Sequence, residues 1–317
     1  MTRFQRRRFL QFASALGLAL ALGPLTPATR PSYAQAAPRK LALLIGIDEY
    51  INPQIRPLQG CVTDVELQRR LLRDRYGFAD TDILTLTNGE ATQGAILTAI
   101  EQHLVQQAQP GDVVVLHFSG HTTYIAAADC EASDCWMGVL LPTNAEPWEE
   151  GGMSPSYGIT QVALEAALSP LATNNLTVVL DVLYGGSFAA QGEFSKGVLL
   201  AASLANQFSA EIPLEEGFAG AFTHTLTQHL WQQSGTESFA EVMASVIPAT
   251  EALARQNRIV QTPIMVTARA DDAQQPIYFM APLVPTGTRP TTRPSARPFT
   301  RRNHDLDPWT RPRTSHR

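Results

Sequence analysis

Acid is absent from residues 1–36, cysteine is scarce, and charged residues make up only 17% of the 317-residue chain. Three cysteines, at 61, 130 and 135, exclude a fold stapled by many disulfides, so the 44% hydrophobic content must build an ordinary core. The apolar stretch from Phe9 to Leu22 is shorter than the ~20 residues a membrane-spanning helix needs. No internal repeat, EF-hand-like acidic spacing or nucleic-acid motif is present, which leaves no sequence basis for a solenoid, a dedicated calcium loop or base readout.

What is there divides the chain into three parts. Arg6-Arg7-Arg8 precedes the apolar stretch, and Ala34-Gln35-Ala36 supplies small residues for cleavage, so residues 1–36 read as an export signal. Arg6-Arg7-Arg8-Phe9-Leu10 is similar to the twin-arginine pattern, which predicts delivery to the periplasm or another extracytoplasmic compartment. Residues 37–282 form an acidic body, with 11 Lys and Arg against 27 Asp and Glu. Residues 283–317 are a Pro-, Thr- and Arg-rich tail carrying eight Arg against two Asp, with Arg289, Arg293, Arg297 and Arg301 at every fourth position. Such a segment has little apolar surface to bury and is expected to be disordered or polyproline-like. It suits contact with an anionic cell surface, or a solvated extension folding back on its own acidic domain.

The body alternates strand and helix patterns. Asp112 to His121 begins as an apolar, β-branched run typical of a strand buried on both faces, then breaks into Ser119-Gly120-His121. A second such strand, Leu176 to Leu180, runs into Asp181-Val182-Leu183-Tyr184-Gly185-Gly186-Ser187. Further strands are expected at Leu41 to Ile47, Asp82 to Leu86, Val198 to Ala202 and Ile277 to Met280. Helices are expected at Cys61 to Tyr76, after Thr92, and at Thr160 to Leu168, Ala219 to Gln232 and Phe239 to Arg255, with a long loop from Thr122 to Gly158. This order predicts an α/β fold with one mostly parallel sheet covered by helices, and places chemistry at the carboxyl ends of its strands.

The ordered pieces resemble the caspase-like cysteine peptidases, most closely their bacterial metacaspase-like (orthocaspase) branch. The residues that carry the resemblance are Ala42 to Ile47, Leu58 to Asp64, Phe118-Ser119-Gly120-His121, Leu140-Leu141-Pro142, Gly158-Ile159-Thr160, Asp181 with Tyr184-Gly185-Gly186, Ala202 to Gln207 and Gly220 to Thr223. The resemblance covers roughly Lys40 to Met280 and implies a three-layer α-β-α sandwich. It also implies a mechanism in which a cysteine thiolate attacks the peptide carbonyl, a histidine manages the protons and backbone N–H groups hold the oxyanion.

His121 matches the catalytic histidine, but Leu183 stands where the nucleophilic cysteine belongs, and Thr122 stands where the family has glycine. Leucine has no lone pair to attack with, and a β-branched Thr122 restricts the backbone near the oxyanion donors. Asp64 and Asp181 match positions that line a pocket for a basic side chain. The bland alternative for Asp64 is a bond to the first turn of its own helix; for His121 it is a bond to a backbone carbonyl. Ser187, or Cys130 and Cys135, are the possible relocated nucleophiles, with Cys130 and Cys135 also a disulfide candidate. Acidic Asp129, Glu131 and Asp134 disfavour a thiolate there. They are the weak basis for calcium, as in some family members, and neither a cofactor nor a metal is expected. Three readings compete: an inactive homologue binding a peptide or partner protein in the old cleft, an endopeptidase cutting after Arg or Lys with a relocated nucleophile, and a surface-associated protein acting through its basic tail.

Overall fold

The computed structural model describes residues 37–126, 136–146, 155–189, 194–233 and 235–278. Cys130, Cys135, residues 1–36, expected as an export signal, and residues 283–317, expected as a basic tail, lie outside them.

Six strands form the central sheet: β1 (Lys40–Gly46), β2 (Ile83–Thr87), β3 (Val113–Ser119), β7 (Leu176–Asp181), β8 (Val198–Ala201) and β11 (Ile264–Thr267). Their order is β11-β8-β7-β3-β1-β2, and every pair is parallel except β11 against β8. β1, β3 and β7 read as continuous apolar runs because both faces of each are covered. On one face Leu43, Ile45, Leu116, Phe118 and Leu180 pack against α2 (Gln93–Ala99, widened to π geometry over Ile100–Val105) and α3 (Gln161–Leu168). On the other face Leu44, Val115 and Val179 meet α1 (Cys61–Tyr76), α4 (Ala221–Gln232) and α5 (Phe239–Gln256). The result is the expected three-layer α-β-α sandwich.

Local signals explain the helix ends. Thr92 and Thr160 cap α2 and α3 by accepting from Ala95 and Ala163 N–H groups, and Ser238 and Glu241 close a reciprocal capping box on α5. The start of α1 is capped from outside its own sequence. The Asp48 carboxylate, just past β1, accepts the Cys61 and Val62 N–H groups at 2.8 and 3.2 Å. Gly46 is required beside it, since a methyl there would lie 2.3 Å from the Cys61 carbonyl oxygen.

Two expectations are corrected. The stretch expected as a loop from Thr122 to Gly158 contains a small antiparallel sheet, β4 (Thr122–Ala126), β5 (Trp136–Leu140) and β6 (Ile159–Thr160). Its strands are short and only partly buried, so the alternation that would announce them is weak. The last strand among the described residues is β11, and of the strand expected at Ile277 to Met280 the first two residues form a turn while the last two lie outside the described residues. Ile277 and Tyr278 are fully buried, but they form a turn plugging the sheet's lower end, where the Tyr278 ring sits edge-on 5.2 Å from Tyr76. A further two-stranded ribbon, β9 (Glu211–Pro213) with β10 (Phe218–Gly220), leads into α4 and lies over the strand ends.

Candidate functional site

β3 and β7 are neighbours in register, Ser119 opposite Asp181, so their carboxyl ends deliver His121 and Leu183 to the same place. A small pocket, partly open to solvent, is lined there by Leu58, Cys61, Asp64, Ser119, Gly120, His121, Asp181, Val182, Leu183, Ser209, Ala210, Glu211 and Gly220. Four of the five cleft residues singled out from sequence line it. The fifth, Thr122, is a buried neighbour.

His121 is positioned from both ends. Its backbone N–H donates to the Tyr50 hydroxyl at 2.7 Å, and the two rings lie 5.2 Å apart. Its Nε2 lies 2.7 Å from the Arg56 carbonyl oxygen, so that nitrogen carries the proton and Nδ1 is left with the lone pair. Burial lowers the imidazole pKa, and the bond to the Arg56 carbonyl partly opposes that shift. A neutral imidazole with a free nitrogen is what a general base requires. The bond to a backbone carbonyl is also what an ordinary satisfied histidine makes.

The facing position has no proton to give. Leu183 is half-buried in the pocket wall, and its carbonyl accepts a bond from Thr122 Oγ1. Thr122 therefore ties the end of β3 to the end of β7 through its side chain. The next residue, Tyr184, holds φ at 56°, a left-handed conformation costly for a side chain of this size. Its N–H donates to the Gln207 carbonyl at 2.8 Å, and its own carbonyl accepts from the Ser187 hydroxyl at 2.7 Å. Ser187 is thus fully buried with its hydroxyl committed to a carbonyl, which removes it as a relocated nucleophile.

Two carboxyls meet beneath the pocket, on either side of Gly220. A methyl at Gly220 would lie 2.1 Å from Asp181 Oδ2 and 2.8 Å from Asp64 Oδ2, so only glycine fits between them. Asp64 accepts from the Ser119 hydroxyl at 2.7 Å and the Gly220 N–H at 2.9 Å. Its own helix is capped by Asp48 instead, so the bland reading of Asp64 is not realised. Asp181 accepts from the Ser209 hydroxyl at 2.7 Å and the Thr223 N–H at 2.8 Å. Burial pushes Asp64 well above the usual carboxylate range, and the charge of Asp181 pushes it further. Burial also raises Asp181, against the pull of the Thr223 and Ser209 bonds. No Lys or Arg among the described residues forms an ion pair with either.

Three lining or flanking residues were not assigned to the site from sequence. Glu211 accepts the Gln59 and Gly60 N–H groups at 2.7 and 2.6 Å and adds a third acid to the pocket. Tyr50 had a signal, lying just past the first strand end. Cys61, expected as a small buried side chain, is buried but lines the cleft, with ligand atoms of Asp48 and Glu211 within 4.8 Å. Burial raises its thiol pKa far above normal, helped by Asp64 and Asp48, so Cys61 is a protonated thiol and a poor nucleophile.

Residues 40–190 match the family model described as metacaspase, peptidase C14 domain. Among curated proteins, the chain is 37% identical over 121 residues to Metacaspase-1B of Aspergillus fumigatus, covering 36% of this chain and 29% of that one. It is 39% identical over 115 residues to Metacaspase-1 of Schizosaccharomyces pombe, covering 35% and 27%. The match thus spans about three tenths of these relatives' own length. Among solved structures, a Geobacter sulfurreducens protein superposes with a TM-score of 0.55 at 17% identity, over 77% of this chain and 99% of its own, a likeness of fold alone.

Proposed function

Because this chain belongs to the caspase-like family, we propose that it is a homologue without peptidase activity that holds a cationic peptide or partner segment in the ancestral cleft. The observation that carries this reading is the pairing of Leu183 with an intact acidic pocket. Attack on a peptide carbonyl needs a lone pair in line with it, and the side chain facing His121 has none. The machinery for holding a basic side chain is present: Asp64, Asp181 and Glu211 line one pocket. A guanidinium or ammonium entering beside these carboxyls favours their ionised forms. Thr122 favours the same reading, since its hydroxyl bond fixes the Leu183 carbonyl.

The proposal extends to place. The arginine-led apolar stretch of residues 1–36 supports export, and the cationic tail supports contact with an anionic cell surface.

The test is turnover of fluorogenic peptides ending in Arg or Lys by the purified chain, His121→Ala and Leu183→Cys, with binding of a non-cleavable Arg peptide measured alongside. The expected result is a silent parent that binds the peptide, and a Leu183→Cys variant that gains thiol-dependent cleavage. A parent that cleaves, and loses cleavage in His121→Ala, would overturn the reading and leave Cys130 and Cys135 as the nucleophiles to examine.

A further inference from the structure

An exposed aromatic strip borders the cleft and has no role in the chemistry above. Trp136 on β5 is 42% exposed, Tyr124 on β4 is 37% exposed, and Phe208 in the loop before β9 is 57% exposed. Tyr184, next to Leu183, joins them. Ring centroids step from Trp136 to Tyr124 at 4.9 Å, to Tyr184 at 5.1 Å and to Phe208 at 5.5 Å. The rings therefore form a continuous surface no longer than about 16 Å, built from four separate segments. Single exposed aromatics are ordinary, but a contiguous strip beside a pocket marks an interaction surface.

We propose that this strip is the docking site for the chain's own tail, which seats two successive Arg-Pro steps of residues 288–298 on it in extended form. Chemistry, spacing, charge and reach all support the match. The tail repeats Arg289-Pro290, Arg293-Pro294 and Arg297-Pro298. Proline rings in polyproline geometry seat between aromatic side chains, and guanidinium planes stack on aromatic faces. One four-residue repeat spans ~12 Å at ~3.1 Å per residue, so two Arg-Pro steps fit on one strip. The tail carries eight Arg against two Asp, while residues 37–282 carry 27 acids against 11 Lys and Arg, so the field of the body draws the tail inward.

Reach is sufficient. Tyr278 sits at the lower end of the sheet, where its carbonyl accepts from Lys40 at the start of β1, and the cleft lies at the upper end. The seven residues of β1 span ~23 Å. The eleven steps from Tyr278 to Arg289 cover up to ~34 Å in extended form, so the first Arg-Pro pair already reaches past the sheet. Tethering raises the tail's local concentration above that of any free competitor of equal affinity. The proposal does not depend on the missing nucleophile, because none of the four rings is a reacting group.

The test is photo-crosslinking of the dilute full-length chain with a benzophenone amino acid in place of Phe299, followed by mass mapping. The expected product is an intramolecular link to peptides holding Tyr124, Trp136, Tyr184 or Phe208. Its yield should fall about tenfold, the loss of two exposed cation–π contacts, when Arg289, Arg293 and Arg297 become Gln. Circular dichroism of the triple variant, expected to match the parent, separates loss of the contact from loss of fold. Tyr124→Ser with Phe208→Ser, checked for folding by circular dichroism, should give the same loss. Links scattered over the surface, or a strip link whose yield ignores both sets of substitutions, would overturn the proposal. Links that form only between differently mass-labelled copies would overturn the intramolecular assignment.

Discussion

His117 lies within β3 and His121 two residues past its end, and the first is walled in completely. His117 is 0% exposed, flanked by Leu44 and Val179 in the sheet, and neither ring nitrogen has a hydrogen-bond partner among the described residues. Burial lowers its pKa from 6.5 to about 3. The folded chain therefore binds this proton far more weakly than the unfolded chain, so the stability present above pH 6.5 is lost as pH falls toward 3. Between about pH 7 and pH 5 the loss from this one residue is about 2 kcal/mol. His121 and His224, also lowered by burial, add to it with the same sign. Asp64 and Asp181, raised by burial, act in the opposite sense. A comparison of parent with His117→Leu isolates the His117 share. Leucine should stabilise the fold by about 1 kcal/mol or more at neutral pH, because two unpaired polar atoms leave the core. It should widen that advantage by about 2 kcal/mol near pH 5. Urea unfolding at the two pH values measures both. Parallel pH dependence in parent and variant, or a leucine variant less stable at neutral pH, would refute an unpartnered neutral imidazole.

Gly220→Ala should force both carboxyls out of place, since the added methyl would lie 2.1 Å from Asp181 Oδ2; a Tm lowered by about 2–10 °C, with loss of Arg-peptide binding, is expected in a thermal scan. Cys61 should resist iodoacetamide in the folded chain at neutral pH and react once urea exposes it, because burial raises its pKa. Peptide mass spectrometry reads the modification, and rapid native labelling of Cys61 would contradict the protonated, buried thiol.

The central frame was legible because its signals are local. β1, β3 and β7 are buried on both faces, so they appear as unbroken apolar runs, and α5 announces itself through Ser238 and Glu241. β11 was missed because it is an edge strand preceded by Pro263, with every residue only half-buried. Ile277 and Tyr278 were misassigned as strand because complete burial in a plugging turn also selects apolar residues. Among site residues, His121, Leu183 and Asp181 could be placed because strand ends carry them, and Asp64 because it falls in the first turn of α1. Glu211 had no such marker. It enters the pocket through the β9–β10 ribbon, a contact made across about 150 residues of sequence by its bonds to Gln59 and Gly60.

The acid pair under Gly220 separates cation binding from binding on the aromatic strip. At a given pH, Asp64 and Asp181 hold more protons than free carboxyls would, because burial raises both pKa values above 3.8, with the charge of Asp181 adding to the shift of Asp64 and that of Glu211 to the shift of Asp181. A guanidinium seated beside them favours the ionised forms, so its binding must expel protons to solvent. Affinity for an Arg peptide should therefore rise with pH through the interval above 3.8, and level off once the empty pocket is itself ionised. Titration calorimetry in two buffers of different ionisation enthalpy reads the released proton as a difference in apparent binding enthalpy. Asp64→Asn should reduce that difference, while Phe208→Ser should leave it unchanged because Phe208 lies on the aromatic strip rather than among the pocket-lining residues. Equal enthalpies in the two buffers, with binding intact, would mean that the cation sits away from these carboxyls.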